Sequence, residues 1–208
     1  MDFSEEMKLA ADWLNKAQDV GSDNGYSSHY DLNLGWATSY PEVSGYIIPT
    51  MLDYAKIVND VKIDNNIIKC SDWLISIQLP SGAFQGRLIG DLPVTPVIFN
   101  TGMILFGLKE AFLKTKDLKY RDSATKAADW LVDVQSSDGL WRKHLTLNGT
   151  GESHDYHTRV SWGILEINKI HKKDEYLSSA TKNIEWVINN HQNKNGWFTH
   201  TDLLEEKN

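Results

Sequence analysis

The stretch "KAADWLVDVQSSDGLW", residues 126–141, places a tryptophan, a glutamine, a glycine and a second aromatic residue in sixteen positions. The same order of residue types recurs three more times along the chain. The leading tryptophans are Trp13, Trp73, Trp130 and Trp186, which lie 60, 57 and 56 positions apart. A nearly constant period is typical of repeat architectures, in which each unit packs against its neighbours.

Two kinds of helical segment alternate with this period. The signature segments are amphipathic: Ala127, Leu131 and Val134 form one apolar stripe, whereas Asp129 and Asp133 point elsewhere. The segments between them, residues 42–58, 97–112 and 156–170, are apolar on nearly every face, which is expected of a helix buried on all sides. Each unit is therefore predicted to be an outer helix, a long turn and an inner helix.

The predicted fold is a single all-α domain over residues 1–208, built as an incomplete ring of stacked helical hairpins. Seven long helices are expected, with ends uncertain by about two to four residues. They are predicted at residues 3–19, 42–58, 62–78, 97–114, 118–135, 156–171 and 175–191.

The signature residues are given structural roles in this interpretation. Trp130 is expected to pack between neighbouring outer helices, and Gln135 to bind the carbonyls that a terminating helix leaves unpaired. Gly139 would let the chain turn with a positive φ angle. The corresponding residues of the other copies are Gln18, Gly25 and Tyr26; Gln78, Gly82 and Phe84; and Gln192, Gly196 and Trp197.

The repeat resembles the QW-type repeat of the terpenoid cyclase and protein prenyltransferase α/α toroids. The segments 38–55, 97–108 and 157–167 are similar to those of bacterial toroid proteins associated with surface-polysaccharide metabolism. This resemblance implies an α/α toroid and a saccharide substrate class. Lipid-chain chemistry is disfavoured, because no Asp-x-Asp-Asp run occurs and the lone Cys70 lies in an outer helix.

A closed toroid of this kind uses about six hairpins, whereas the sequence provides three helix pairs and one further outer helix. We therefore expect a homodimer in which two half-rings place their open edges together. The edges are predicted to expose apolar residues of the last and first inner helices: Val160, Trp162, Ile164 and Ile167, and Tyr46, Ile47 and Met51.

Composition limits the partners and the compartment. A net charge of −7 argues against nucleic acid. No segment approaches the roughly 18 apolar residues of a membrane span, and no signal peptide is recognisable, so a cytoplasmic protein without membrane association is expected. One cysteine excludes an internal disulfide and a thiolate zinc cluster. Neither a cofactor nor a metal is predicted, since Glu152, His154 and His157 match no metal-binding motif.

The long turns should open on one face of the ring and carry the functional residues. Aromatic rings with hydrogen-bonding groups between them are suited to bind a sugar. The alternative is that these aromatic side chains only fill the opening of the ring of helices. The candidate catalytic residues are Glu42, Asn100, Tyr156, His157 and Arg159. The candidate substrate-binding residues are Trp36, Tyr40, Phe84, Arg87, Trp141, His144 and Asp155.

Several activities remain open at this face. A Tyr or His base with Arg159 or Asn100 as anion stabiliser would suit a uronate lyase or epimerase. A glycoside hydrolase would need two facing carboxylates, for which Glu42, Asp91 and Asp155 are the candidates. A non-catalytic saccharide-binding or scaffold module, truncated from a longer enzyme, is the third alternative. The structural alternative is that Arg159 and Asp155 pair with one another near a helix N-terminus.

Overall fold

The computed structural model describes residues 4–145 and 155–199. Within these ranges the chain forms seven α-helices and two short strands, β1 (Tyr30–Asp31) and β2 (Gly35–Trp36), which pair antiparallel. The all-α prediction and the half-toroid architecture are confirmed. The helices are α1 (Ser4–Asp19), α2 (Pro41–Val58), α3 (Val61–Ser76), α4 (Ile98–Thr115), α5 (Leu118–Asp133), α6 (Thr158–Asn168) and α7 (Asp174–His191).

Some predicted helix ends differ from the structure. The last inner helix, α6, begins at Thr158 instead of 156, because Asp155–His157 forms a separate 3-10 turn. The outer helix α3 ends at Ser76 instead of 78, because its final turn tightens: the backbone N–H groups of Ile77 and Gln78 donate to carbonyls three residues back.

Short return connections lead from each inner helix to the next outer helix. The residues that follow the inner helices α2 and α4 are Asn59 and Lys116, both in the left-handed conformation, which reverses the chain. Each is followed directly by an aspartate, Asp60 or Asp117, whose side chain accepts a backbone N–H of the next helix's first turn. These two-residue links place α2 and α4 antiparallel to the outer helices that follow them.

The inner layer consists of α2, α4 and α6, which approach one another closely at glycines. A Cβ atom on Gly45 would lie 2.7 Å from the Cα atom of Ile104, and one on Gly163 would lie 2.7 Å from the carbonyl oxygen of Gly102. Only a residue without a side chain fits at such a distance. The apolar core lies between this layer and the outer helices α1, α3, α5 and α7.

The signature residues join consecutive repeats. Gln78 donates its amide to the carbonyl of Gly82 (2.8 Å) in its own turn and to that of Ser123 (2.9 Å) on the next outer helix. The prediction that such a glutamine binds the carbonyls of its own helix end is therefore wrong. The positive φ angle predicted for Gly139 is confirmed at 93°, and Gly82 and Gly196 have similar angles of 95° and 89°, whereas Gly25 of the first copy does not have a positive φ angle.

No helix within the described residues combines the length and the apolar character that crossing a membrane requires.

Candidate functional site

The three inner helices begin at the same end of the half-ring, and most of the predicted catalytic residues lie there. Tyr40 is the residue before α2, and Glu42 is in its first turn. Asn100 lies in the first turn of α4, and Tyr156 lies in the 3-10 turn that precedes α6. Helices that start together direct their positive dipole ends towards one region, which favours negative charge there.

Tyr40, Glu42 and Asn100 form a hydrogen-bonded network that links α2 with α4. The Tyr40 hydroxyl donates to Glu42 Oε2 at 2.8 Å, and Asn100 Nδ2 donates to the Tyr40 hydroxyl oxygen at 2.9 Å. Asn100 is almost completely buried, whereas Tyr40 and Glu42 are half-buried. The buried amide therefore holds a phenol and a carboxyl group that still reach the surface.

The protonation of these groups follows from burial and from nearby charge. Burial raises the pKa of Glu42, and the Tyr40 hydrogen bond and the Arg159 charge oppose this rise without cancelling it. Burial, together with the charge of Glu42, also raises the pKa of Tyr40 and of Tyr156. Both phenols thus remain proton donors at neutral pH, and the pKa of Glu42 lies above that of an ordinary glutamate.

Arg159 supplies the positive charge of this region. Its guanidinium carbon lies 4.8 Å from the centre of the Tyr46 ring and 6.0 Å from that of Trp162, so the cation stacks between aromatic side chains. Burial raises the pKa of Tyr46 to about 12. A cavity of about 630 Å³ on the inner face of the half-ring is lined by Arg159 and by Tyr46, Pro49, Thr50, Phe106, Lys109, Glu110, Trp162 and Glu166.

Three predicted site residues are core residues in the structure. Phe84, Trp141 and His157 are completely buried. Trp141 donates its indole N–H to the carbonyl of Leu131 at 2.9 Å, which fixes it inside the fold. The His157 ring stacks on Tyr156 with 4.5 Å between ring centres. His157 therefore packs against Tyr156 from inside the fold. Phe84, Trp141 and His157 do not contact solvent, because the turns pack tightly onto the inner helices.

Asp155 pairs with a residue that the sequence did not suggest. Its Oδ1 atom lies 2.5 Å from Nδ1 of His191, the last residue of α7. The pairing of Asp155 with Arg159 considered from sequence is therefore wrong. Because Asp155 is buried in this contact, it is a poor candidate for the second carboxylate of a hydrolase.

The remaining predicted ligand contacts lie outside the network. Trp36 packs against Trp13 at 4.7 Å and Tyr30 at 5.1 Å between ring centres. His144 packs against Trp130 at 5.5 Å, and Arg87 is half-buried with a positive φ angle of 73°. Glu152 and His154 lie outside the described residues. Among the described ones, no group of three or more His, Cys, Asp or Glu side chains is arranged to hold a metal ion.

Tyr46 and Trp162 were not predicted as site residues. Sequence placed both at the open edges of the ring, whereas they line the inner-face cavity on either side of Arg159. A signal was available: Arg159, Trp162 and Glu166 follow the spacing of one helical face, which is a polar and aromatic stripe in an otherwise apolar helix.

The fold is similar to that of several carbohydrate-active proteins of known structure. A possible member of the GH105 family from Salmonella enterica superposes with a TM-score of 0.75 at 13% identity, covering 97% of this chain and 57% of the other. An unsaturated glucuronyl hydrolase specific for heparin gives 0.71 at 14% identity, with coverage of 94% and 50%. A GH76 alpha-mannanase from Bacteroides thetaiotaomicron gives 0.70 at 15% identity, with coverage of 93% and 53%.

These similarities define the class of fold as an α/α toroid. The chain spans about half the length of the solved structures it matches. No protein-family profile matches the sequence, and no curated protein matches it significantly. The likeness to terpenoid cyclases suggested by the QW-type repeat is not confirmed.

Proposed function

We propose that the protein binds a uronate-containing saccharide where its inner helices begin, and that Glu42 transfers a proton during cleavage of that saccharide. The observation that carries this proposal is the Tyr40–Glu42–Asn100 network, with Arg159 and Tyr156 in its electrostatic neighbourhood. A sugar carboxylate is attracted by Arg159, and the ring faces of a sugar stack on aromatic side chains such as the half-buried Tyr46 and the exposed Trp162.

The reaction that best fits these groups is a β-elimination. Arg159 neutralises the uronate carboxylate, which acidifies the neighbouring C–H bond. Glu42 accepts that proton, the electron pair of the C–H bond forms a carbon–carbon double bond, and the glycosidic C–O bond breaks. Tyr156 donates a proton to the leaving oxygen, since its raised pKa keeps it protonated. An epimerase would use the same proton abstraction and return the proton to the other side.

Glycoside hydrolysis is the second candidate, because the similar structures include an unsaturated glucuronyl hydrolase and an alpha-mannanase. A hydrolase requires a second carboxylate facing Glu42. Asp155 is engaged by His191, and Asp91 is exposed on the turn before α4. Hydrolysis thus needs a second carboxylate, whereas elimination uses Glu42 together with Arg159 and Tyr156, which lie in the electrostatic neighbourhood of the network.

The test is incubation with polygalacturonate, alginate, heparin, unsaturated heparin disaccharides and α-mannan. Elimination produces ultraviolet absorbance together with new reducing ends. Hydrolysis produces reducing ends alone, or loss of absorbance from the unsaturated disaccharides. Saccharide binding without either signal would contradict the catalytic proposal and support the non-catalytic module.

Variants then assign the role of Glu42. Glu42→Gln keeps the shape of the side chain but removes proton transfer, and we expect the turnover number to fall by about 10²–10⁴-fold. Glu175→Gln, an exposed position on α7, is the matched control and should keep full activity. Turnover by Glu42→Gln equal to that of the control would overturn the assignment.

A further inference from the structure

Trp162 is an exposed tryptophan in a helix whose other large apolar residues are buried. The sequence predicted that it would lie at an open edge of the ring, together with other apolar residues of α2 and α6. That prediction is wrong for four of them, which are buried within the chain: Met51, Val160, Ile164 and Ile167. Trp162 is 51% exposed and lines the inner-face cavity, so its open side faces a concave surface.

Contacts with neighbouring side chains fix Trp162 in this exposed position. Its indole N–H donates to Glu166 Oε1 at 3.1 Å, and its ring packs edge-to-face against Phe106 with 4.8 Å between ring centres. Glu166 is almost completely buried and is itself held by Lys109 at 2.8 Å and by Lys169 at 2.5 Å. A ring anchored in this way is preorganised for stacking, because it loses little freedom when a ligand binds.

The inner-face cavity leads away from the proposed reaction site along α6. Arg159 lies in the first turn of α6, and Glu166 follows seven residues later, about 10 Å further along the helix axis. The guanidinium carbon of Arg159 lies nearer to the ring of Tyr46 (4.8 Å) than to that of Trp162 (6.0 Å). A uronate carboxylate at Arg159 therefore places its own sugar ring beside Tyr46 and leaves Trp162 open to the next unit of a saccharide.

The charges at the far end of the cavity cancel. Lys109 lies 2.7 Å from Glu110 Oε1 and 2.8 Å from Glu166 Oε2, and Lys169 pairs with the other carboxylate oxygen of Glu166. Two positive and two negative side chains thus form one ion-paired cluster. A second sugar carboxylate would compete there with Glu110 and Glu166 for the same ammonium groups. Sugar hydroxyl groups, by contrast, can accept from lysines and donate to carboxylates.

We propose that the cavity contains a second saccharide subsite, in which an uncharged sugar stacks on Trp162 while the adjoining uronate is held at Arg159. Glu166 is a positioning residue for the tryptophan ring, and Lys109 and Glu110 bind hydroxyl groups of the uncharged sugar. The preferred ligand is thus a uronate linked to a neutral unit instead of a chain of uronates. This inference rests on the proposed function, which places the uronate at Arg159.

The first experiment measures binding by isothermal titration calorimetry to Glu42→Gln, in which turnover should be suppressed. The probes are cellobiose, its two derivatives with a carboxylate on one ring or the other, and the derivative with carboxylates on both rings. One of the two singly charged disaccharides should bind most tightly, and the doubly charged one about two- to fivefold more weakly, the effect of a single charge interaction. Tighter binding of the doubly charged disaccharide, or binding of none of the four, would overturn the proposal.

The second experiment assigns the subsite to Trp162. In the same background, Trp162→Ala should weaken binding of the preferred disaccharide by about tenfold or more, as expected for a tryptophan at the centre of a contact. Binding of free glucuronate should not change, because it occupies only the first subsite, and it shows that the variant is folded. Trp197→Ala, at an exposed position after α7, is the control. Equal losses for both ligands, or no loss for the disaccharide, would contradict the assignment.

The third experiment tests selection by charge through a gain of binding. Glu110→Gln keeps the shape of the side chain and removes one negative charge from the ion-paired cluster. The doubly charged disaccharide should then bind about two- to fivefold more tightly. Glu175→Gln, at an exposed position of α7, should leave its affinity unchanged. Unchanged or weaker binding by Glu110→Gln would overturn the selection by charge.

Failure of the subsite and failure of the catalytic proposal give different results. Binding in the expected order without cleavage by the unaltered chain would overturn the catalytic role of Glu42 and leave the subsite standing. Cleavage by the unaltered chain, together with unchanged binding by Trp162→Ala, would overturn the subsite and leave the catalytic proposal standing.

Discussion

Gln135 and Ser179, which are 44 positions apart in the chain, are joined by a hydrogen bond of 3.1 Å from the glutamine amide to the serine carbonyl. The same amide donates to the carbonyl of Gly139 at 2.9 Å, within the turn of its own repeat. The signature glutamine thus fastens one repeat to the next while it shapes its own turn. Gln18 makes the equivalent bond to the carbonyl of Asn66 at 2.8 Å.

Gln135→Ala should lower the free energy of unfolding by about 1–3 kcal/mol, since it removes two hydrogen bonds and leaves two carbonyls without that donor. Urea denaturation followed by circular dichroism measures the change. Asn65→Ala, at an exposed position of α3, serves as the control and should change stability by less than about 0.5 kcal/mol. Equal midpoints for the two variants would contradict the fastening role.

Gly139→Ala and Gly35→Ala separate backbone strain from packing. Both glycines have positive φ angles, 93° and 84°, so an alanine at either position costs about 1–2 kcal/mol in the backbone. At Gly35 no described atom lies near the added Cβ, whereas at Gly139 it meets the backbone of Lys182 at 2.6 Å. Gly139→Ala should therefore lower the free energy of unfolding by about 1–3 kcal/mol more than Gly35→Ala does. Similar urea midpoints for the two variants would show that the backbone at Lys182 shifts to accommodate the added Cβ atom without loss of stability.

Glu166 should make stability depend on acid pH. Burial raises its pKa, but hydrogen bonds from Lys109 and Lys169 outweigh burial and lower it from 4.5 to about 2. A carboxyl group whose pKa is lower in the folded state than in the unfolded state stabilises the folded protein at pH values above its unfolded-state pKa. The contribution of Glu166 is therefore present above about pH 4.5 and is lost as the pH falls towards about 2.

The measurement is the free energy of unfolding of the unaltered chain and of Glu166→Gln as a function of pH. Near neutrality the unaltered chain should be the more stable, and the difference should shrink below pH 4.5, where Glu166 begins to lose its charge in the unfolded state. Glu175→Gln provides the comparison for an exposed glutamate. A difference that stays constant with pH would show that Glu166 is not the titrating group.

Much of the fold could be predicted from the spacing of a few residues. The tryptophan period locates the outer helices, and the apolar segments between them locate the inner ones. Helix ends were less accurate, because the last turns of α3 and α5 tighten into hydrogen bonds between residues three positions apart, which the apolar pattern does not reveal. Of the candidate residues, Glu42, Tyr40 and Asn100 form one network, and Arg159 and Tyr156 lie in its electrostatic neighbourhood, while their role in binding or catalysis stays a prediction.

Sequence by itself determined the repeat, the alternation of inner and outer helices, and the end of the ring at which the candidate residues gather. These properties depend on periodicity, which a chain displays before it folds. Only the tertiary structure decided which side chains reach solvent. Phe84, Trp141 and His157 were indistinguishable by type from exposed ligand contacts, but packing buries them. The partners of Gln135 and Asp155 lie 44 and 36 positions away, respectively, and such pairings depend on how repeats stack in three dimensions.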